Sequence, residues 1–416
     1  MVTKLPPDAP EPQPYEVNHA ASLVINLGRA LLHVGAPAHR LESAMHIMAE
    51  RLGLRAQFFC TPTSLIVSLG DEDRQQTFLT RSEPGVTNLS KLSDLTDVMA
   101  GLADGSLTPE QANARVKVID QAPPRYHWGW QLLGFSLLAG GVAPLIGGGV
   151  RESLVAIGLG VIVGTAVLSL QHHIERSKLI TPLAATLVTF FGTLWCGLDP
   201  KTALMPTVTA GMIALLPGME LTTAARELAT GHLVSGASRL AYGLSILALL
   251  AFGLVLGSMA GQWVVGPVPL FASTEFNELL SLIGVAFAAV GLMLLNQAHQ
   301  RDWPWMLAAC LLAWVMADLG HILNAPAIGA FLGGLAVGLA GNAFVYLTGR
   351  PGSTMHIPGL IVLVPGSIGL RSMTSLLHDN VGAGIETAIL AAIIAIALTT
   401  GMMIASVLVP PQKNVL

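Results

Sequence analysis

Charge is what this sequence has least of. Only 11% of its 416 residues are Asp, Glu, Lys or Arg, against roughly 25% in an average soluble domain, which excludes a chain lying wholly in water. The shortage is local: 25 of the 46 charges fall in the first 127 positions, leaving 21 for the other 289. The second region therefore reads as membrane and the first does not, in keeping with a mean hydropathy of +0.64. Cysteine is also scarce. Cys60, Cys196 and Cys310 are an odd, widely spaced set, two of them in apolar stretches, which excludes a disulfide framework or a metal knuckle and leaves small buried thiols. No basic run with interleaved aromatics occurs, so nucleic acid is excluded as a partner. The opening MVTKLPPDAPEPQPYEV has no apolar core of a signal peptide; proline-rich and acidic, residues 1–14 are expected to be a disordered tail.

From 15 to 125 the pattern predicts a small α+β domain. Apolar residues recur at helical spacing over 18–34 and 37–52, separated by Gly35-Ala36-Pro37. Short β-rich runs follow at 54–59, 63–69 and 75–80, with turns at Cys60-Thr61-Pro62 and Gly70-Asp71-Glu72-Asp73. Two amphipathic helices at 89–103 and 108–121 complete it, the second opened by Thr108-Pro109-Glu110 as N-cap, first-position proline and first-turn acid.

What the remainder has is a repeat. Ala210 to Gly218 (AGMIALLPG) returns 148 positions later as Pro358 to Gly366 (PGLIVLVPG), with five of nine residues matching. Ten apolar spans are countable, at 128–148, 152–170, 179–197, 202–218, 239–260, 278–296, 304–322, 325–347, 354–369 and 384–408, and the two short ones, fourth and ninth, carry the repeat. The expected fold is an α-helical polytopic membrane protein of two five-helix repeats, 126–262 and 263–416, fused to the cytoplasmic α+β domain. Five is odd, so the second repeat enters from the opposite face and the halves are inverted. With the first domain inside, internal loops hold Arg176, Lys178, Arg226, Arg239, Arg301, Arg350 and Lys413, and external loops only Arg151, Lys201 and Arg371, as the positive-inside rule asks. The glycines at 158, 160, 164, 329, 333, 334 and 338 are read as helix-packing surfaces and not as a phosphate loop.

Specific residues carry a family resemblance. Gly35-Ala36-Pro37-Ala38-His39-Arg40-Leu41-Glu42, then Ala49-Glu50-Arg51-Leu52-Gly53-Leu54, Thr61-Pro62-Thr63-Ser64-Leu65 and the Asn88-Leu89 helix resemble the first domain of the threonine/serine exporter family. Leu216-Pro217-Gly218, Val364-Pro365-Gly366-Ser367 and Gly369-Leu370-Arg371-Ser372 are similar to its membrane part, so the resemblance runs over about 15–408. It implies an inner-membrane exporter of small hydroxy amino acids driven by the proton-motive force. Relatives with the two halves on separate chains imply dicarboxylate efflux as an alternative.

Each Pro-Gly break removes a backbone donor and adds a flexible residue, and freed backbone groups at membrane depth need a protein cavity or water. Pro217, Gly218, Pro365 and Gly366 are therefore candidate substrate-site residues, with Thr222, Thr223, Ser367 and Ser372 offering hydroxyls just beyond them and Arg371 a fork for a carboxylate. Arg371 reads equally as an external-loop charge. Only Arg371 lies beside a break, with Arg226 more remote, and this favours one carboxylate per substrate. Glu220 and Asp318 are the candidate proton-coupling acids, since a carboxylate inside a span is costly; His321 and His356 are read as loop or helix-end residues. His39, Glu42 and His46 share a helical face, and Ser64 has a nucleophile's chemistry, the features of a membrane-anchored hydrolase. No H-E-x-x-H or G-x-S-x-G accompanies them, so no metal, cofactor or catalytic residue is assigned, and Arg40 and Glu42 are read as a structural ion pair or a docking contact. The partners expected are an amino acid, protons and the lipid bilayer, with homo-oligomerisation open. A reporter fused after Leu416 is expected to score as cytoplasmic and one inserted at Pro267 as external; scoring on the same side would defeat the five-plus-five topology.

Overall fold

A computed structural model of the chain describes residues 19–70, 75–81, 87–170, 179–268, 278–363, 366–377 and 381–410. The expected tail, Arg176, Lys178, Pro365 and Lys413 lie outside them.

The N-terminal elements run α1 (His19–His33), α2 (Ala38–Arg51), β1 (Ala56–Thr61), β2 (Ser64–Leu69), β3 (Gln76–Arg81), α3 (Leu89–Ala103) and α4 (Pro109–Gln121). The chain turns from α1 into α2 at Gly35, whose φ of 76° suits glycine. The strands form an antiparallel meander, and Leu65, Val67 and Leu69 of the middle strand point into the core while their alternates do not. β1 ends later than its pattern suggests. Cys60 and Thr61 pair with Leu65 and Ser64, leaving Pro62-Thr63 as a two-residue turn, because the Thr61 and Ser64 hydroxyls hydrogen-bond at 2.7 Å across the closing pair. The Thr108 side chain and Gln111 cap α4 reciprocally, and the Asn88 side chain accepts from the Lys91 amide at the start of α3. The apolar interior of this layer is not closed on itself. Leu23, Leu27, Leu95 and Met99 belong to one continuous cluster with Leu138, Val285, Leu292 and Met306 of the helices that follow.

Those helices are α5 (Trp128–Val142), α6 (Val150–Leu170), α7 (Ile180–Leu198), α8 (Leu204–Gly211), α9 (Gly218–Ala229), α10 (Leu233–Val265), α11 (Glu278–Leu295), α12 (Trp303–Ile322), α13 (Pro326–Thr348), α14 (Ser353–Leu363), α15 (Gly366–Leu377) and α16 (Val381–Leu408). Among the described residues nine stretches are long and apolar enough to cross a bilayer, α14 with α15 counting as one, and α8 with the segment through α9 forms a further candidate bent by 53°. The chain is a multi-pass membrane protein.

The repeat is where the helices break. After α8 a 3₁₀ turn covers Ile213–Leu215, Leu216 is extended, Pro217 adopts φ −80° and ψ 41°, and Gly218 restarts the helix. The charge pattern put Arg226 and Arg371 in loops beyond the breaks. Both instead lie on twelve-residue amphipathic helices, α9 and α15; ahead of α9, Pro217 can start the helix because the N–H it lacks would have no partner there anyway. Arg239, also placed in a loop, lies in the second turn of α10 for a different reason: the helix begins six residues before its apolar run.

Helix pairs close on glycine. Gly257 of α10 rides on the Thr186 carbonyl of α7, and Gly334 of α13 on the Leu398 carbonyl of α16, with no room at either for a side chain. Of the glycines read as packing surfaces, Gly160, Gly164, Gly329, Gly333 and Gly338 meet neighbouring helices too, whereas Gly158 faces open space. Gly257→Val and Gly334→Val are each expected to cost about 1–3 kcal/mol by overpacking, lowering the unfolding midpoint of the detergent-purified protein, while Gly158→Ala leaves it unchanged.

Candidate functional site

Helix α9 carries its polar face, with Glu220, Thr222, Thr223 and Arg226, to the wall of a cavity. The opposite wall comes from the N-terminal layer, through Gly35, Pro37, His39 and Arg40, and the sides from Arg239 of α10, Ser353 and His356 of α14 and Thr399 of α16. The cavity thus lies where the N-terminal layer meets the broken helix.

One carboxylate organises this junction. Glu227, with no exposed surface, accepts from Arg239 Nε at 3.1 Å and from the Ala38 backbone amide at 3.0 Å. An anion at the first turn of α2 also meets the positive end of that helix's dipole. Arg239 reaches on to Glu220 at 2.8 Å, so one guanidinium joins two acids of α9. A second set of contacts holds the sheet: Glu42 accepts from the Cys60 amide at 2.8 Å and lies 3.3 Å from His232 Nε2, and the Ser235 hydroxyl donates to the Cys60 carbonyl at 3.2 Å. Arg40 and Glu42 are both docking contacts and not a pair with each other. Arg40 Nη2 donates to His356 Nδ1 at 2.9 Å, which makes that nitrogen an acceptor and puts the imidazole proton on Nε2, facing the Gly338 carbonyl at 3.4 Å. His356 is thus neutral and buried in the cavity wall, beyond the helix end where its sequence placed it. Its ring packs directly on Gly341, which leaves no space for a methyl group there.

The electrostatics follow from burial among cations. Burial, then the charges of Arg226, Arg40, His232 and Arg239, push His39 down to about 2, so it is neutral at physiological pH. Burial and then Arg226 lower Arg40 to about 9, which still leaves it charged. Burial, followed by Glu42 and Glu227, pushes the Cys60 thiol up to about 12.

The structure separates the candidates named from sequence. Glu220, Thr222 and Thr223 line the cavity together, although the Thr222 hydroxyl also donates to the Gly218 carbonyl at 3.1 Å. Gly218 and Gly366 face each other: a Cβ on Gly366 would meet Gly218 Cα at 3.5 Å and Leu216 Cβ at 3.4 Å. The two breaks therefore meet back to back, outside the cavity lining. Ser367 is half-buried in the first turn of α15 and Arg371 is exposed on it, while the buried Ser372 donates to the Gly384 carbonyl at 2.7 Å and ties α15 to α16. Asp318 is half-buried on α12, away from the lining, and His321 is exposed at that helix's end. His46 packs edge-on against Phe58, whereas Glu42 and the ring of His39 both lie against His232, so the three do not converge on one site, and Ser64 is held in its hairpin by Thr61. Arg40, Glu227, Arg239 and His356 escaped assignment as site residues. A signal for two of them existed: Glu227 and Arg239 are ionisable groups within the apolar region, and assigning them to loops hid it.

The family described as "Putative threonine/serine exporter" matches residues 22–260, and that described as "Threonine/Serine exporter, ThrE" matches 281–408. The chain belongs to the threonine/serine exporter family. Proteins named pheromone-regulated membrane protein 10 are its relatives among yeasts: 26% identity over 86% of this chain and 38% of the Pichia sorbitophila protein, 26% over 90% and 38% for Debaryomyces hansenii, and 27% over 86% and 48% for Saccharomyces cerevisiae. The exporter-family chain thus spans under half the length of these relatives. No solved structure matches it.

Glu227→Ala removes both the cap of α2 and a partner of Arg239, and hydrogen bonds to charged groups contribute about 1.5–3 kcal/mol each. In a background with Cys196 and Cys310 replaced by serine, Cys60 of the parent protein is expected to label slowly with maleimide at pH 8. Glu227→Ala should raise that rate by about tenfold or more as the layer lifts; an unchanged rate would show that the contact does not hold it down.

Proposed function

We propose that the chain is a secondary exporter of small hydroxy amino acids, threonine and serine, working from the cavity between the N-terminal layer and α9. The observation that carries this reading is the break at Pro217-Gly218, which turns α9 so that an acid, two threonine hydroxyls and an arginine line one cavity. An amino acid with a side-chain hydroxyl presents the complementary set of an ammonium, a hydroxyl and a carboxylate. Glu220 is the proton-coupling acid on this reading: it lines the cavity and shares Arg239 with Glu227, so its protonation would loosen that network. Asp318, off the lining, is the lesser candidate. On this reading the N-terminal layer and the C-terminus are cytoplasmic, from the charge bias of the sequence, and the inner membrane is taken from the family to which the chain belongs.

Ten spans in two inverted repeats accommodate the packing. The third and fifth helices of each half pair closely, α7 with α10 and α13 with α16, and so do the post-break helices with the ones that follow, α9 with α10 and α15 with α16. The contact of Gly218 with Gly366 puts the two breaks at one point, where a pseudo-two-fold axis would pass.

A dicarboxylate such as succinate is the second reading, and one observation favours it. Sequence spacing offered one cation beside a break, whereas Arg40 and Arg226 both line the cavity. Glu220 in the same wall favours a substrate that also bears an ammonium.

Counterflow in proteoliposomes with labelled threonine, serine and succinate, with and without a pH gradient, separates the readings. Threonine and serine are expected to exchange and to be driven by the gradient; succinate alone exchanging would replace the first reading with the second. Glu220→Gln keeps the size but cannot release a proton, so gradient-driven transport should be lost with exchange preserved. Loss of both together would make Glu220 a binding residue instead.

A further inference from the structure

Three arginines line the cavity, and their partners differ. Arg239 is matched by two carboxylates. Among the described residues no carboxylate lies within ion-pair distance of Arg40 or Arg226: Arg40 bonds a neutral imidazole, and the Arg226 Nε is buried with no hydrogen-bond partner. A buried charge ordinarily has an opposite charge beside it, because desolvation costs several kcal/mol otherwise. Here two like charges approach closely enough for Arg226 to depress Arg40. Uncompensated polarity continues around them. Both ring nitrogens of His39, the Ser353 hydroxyl and the Thr399 hydroxyl are buried without partners in the same cavity wall, and buried polar groups without partners are few in a folded chain. Their convergence on one space marks a polar solute site and not a packing defect.

We propose that Arg40 and Arg226 together bind the carboxylate of the transported solute, so that the N-terminal layer supplies half of the transport site. A guanidinium presents a planar fork matched to carboxylate geometry, and the two forks come from opposite walls, one from α2 and one from α9. The arrangement also assigns a role to the Arg40–His356 contact: the neutral imidazole orients the guanidinium without discharging it. Binding and docking become linked, since the carboxylate bridges two cations that otherwise repel across the junction. The amino-acid identity of the solute rests on the function proposed above; the carboxylate subsite does not.

The test measures binding to the purified full chain of threonine and of threoninamide, which differs at the carboxylate, alongside succinate, succinamide and inorganic phosphate. Threonine is expected to bind at least about tenfold more tightly than threoninamide, as loss of a charge-assisted pair implies. In Arg40→Gln and in Arg226→Gln the preference should fall to about threefold or less, and Arg40→Lys should restore part of it. A structural role alone would weaken both ligands equally, so an unchanged ratio in Arg40→Gln overturns the subsite while leaving the hydroxy amino-acid reading standing. Succinate binding with the same Arg40 dependence, and threonine not binding, retains the subsite and rejects that reading. Phosphate binding that depends on Arg40 while neither carboxylate binds overturns the carboxylate assignment, and no binding by any of the five solutes rejects both. Should Arg40→Gln fail to fold, the Arg226→Gln and Arg40→Lys ratios carry the same comparison.

Discussion

The structure depends on a buried carboxylate shared between two parts of the chain. Glu227 lies 189 residues from the Ala38 amide it accepts from and twelve from Arg239. Removing Arg239 would leave that charge unmatched out of water, at a cost of about 3–5 kcal/mol for a buried pair. The same carboxylate ties together the start of α2, the end of α9 and the early turns of α10, three of the elements that wall the cavity. The remaining junction contacts, from Glu42 to His232 and from Ser235 to Cys60, keep the sheet in register with that point.

Around this junction the membrane helices solve a different problem. Apolar side chains gain little by leaving lipid for each other, so close approach of backbones has to supply the attraction, and glycines at the tightest crossings permit it. The exceptions are α9 and α15, amphipathic helices in an otherwise apolar assembly. Polar faces at that depth are tolerable when they line a protein cavity. For α9 the cavity is the one closed by the N-terminal layer, and for α15 the buried Ser372 meets the backbone of α16.

The shared apolar core changes how the N-terminal residues should be regarded. A layer whose Leu95 and Met99 belong to the same cluster as Met306 of α12 has much of its stabilisation outside itself, and its Leu89 amide even donates to the Asn296 carbonyl after α11. It is a wall of the transporter as much as an attachment to it. That one family model, described as a threonine/serine exporter, matches from residue 22 into α10 at residue 260 is in keeping with such a unit.

Periodicity and turn chemistry are local, and they were legible. Helices at 19–33, 38–51, 89–103 and 109–121, three strands, the Thr108 cap and the apolar spans all follow from the identities of near neighbours, as does the break at Pro217-Gly218, because a proline's missing donor acts where it stands. Of the residues that the two breaks singled out, only Glu220, Thr222 and Thr223, after the first, line the cavity. Tertiary structure decided the rest. Whether the residues after a break continue as helix depends on what their polar face can meet, and for Arg226 and Arg239 the answer lies in α2 and in each other's neighbours. Arg40 and His356 are 316 positions apart, and no local pattern relates them. The charge of a residue is written in its sequence; whether an opposite charge stands beside it, which decides between a structural pair and a binding group, is settled only when distant helices pack and water leaves the space between them.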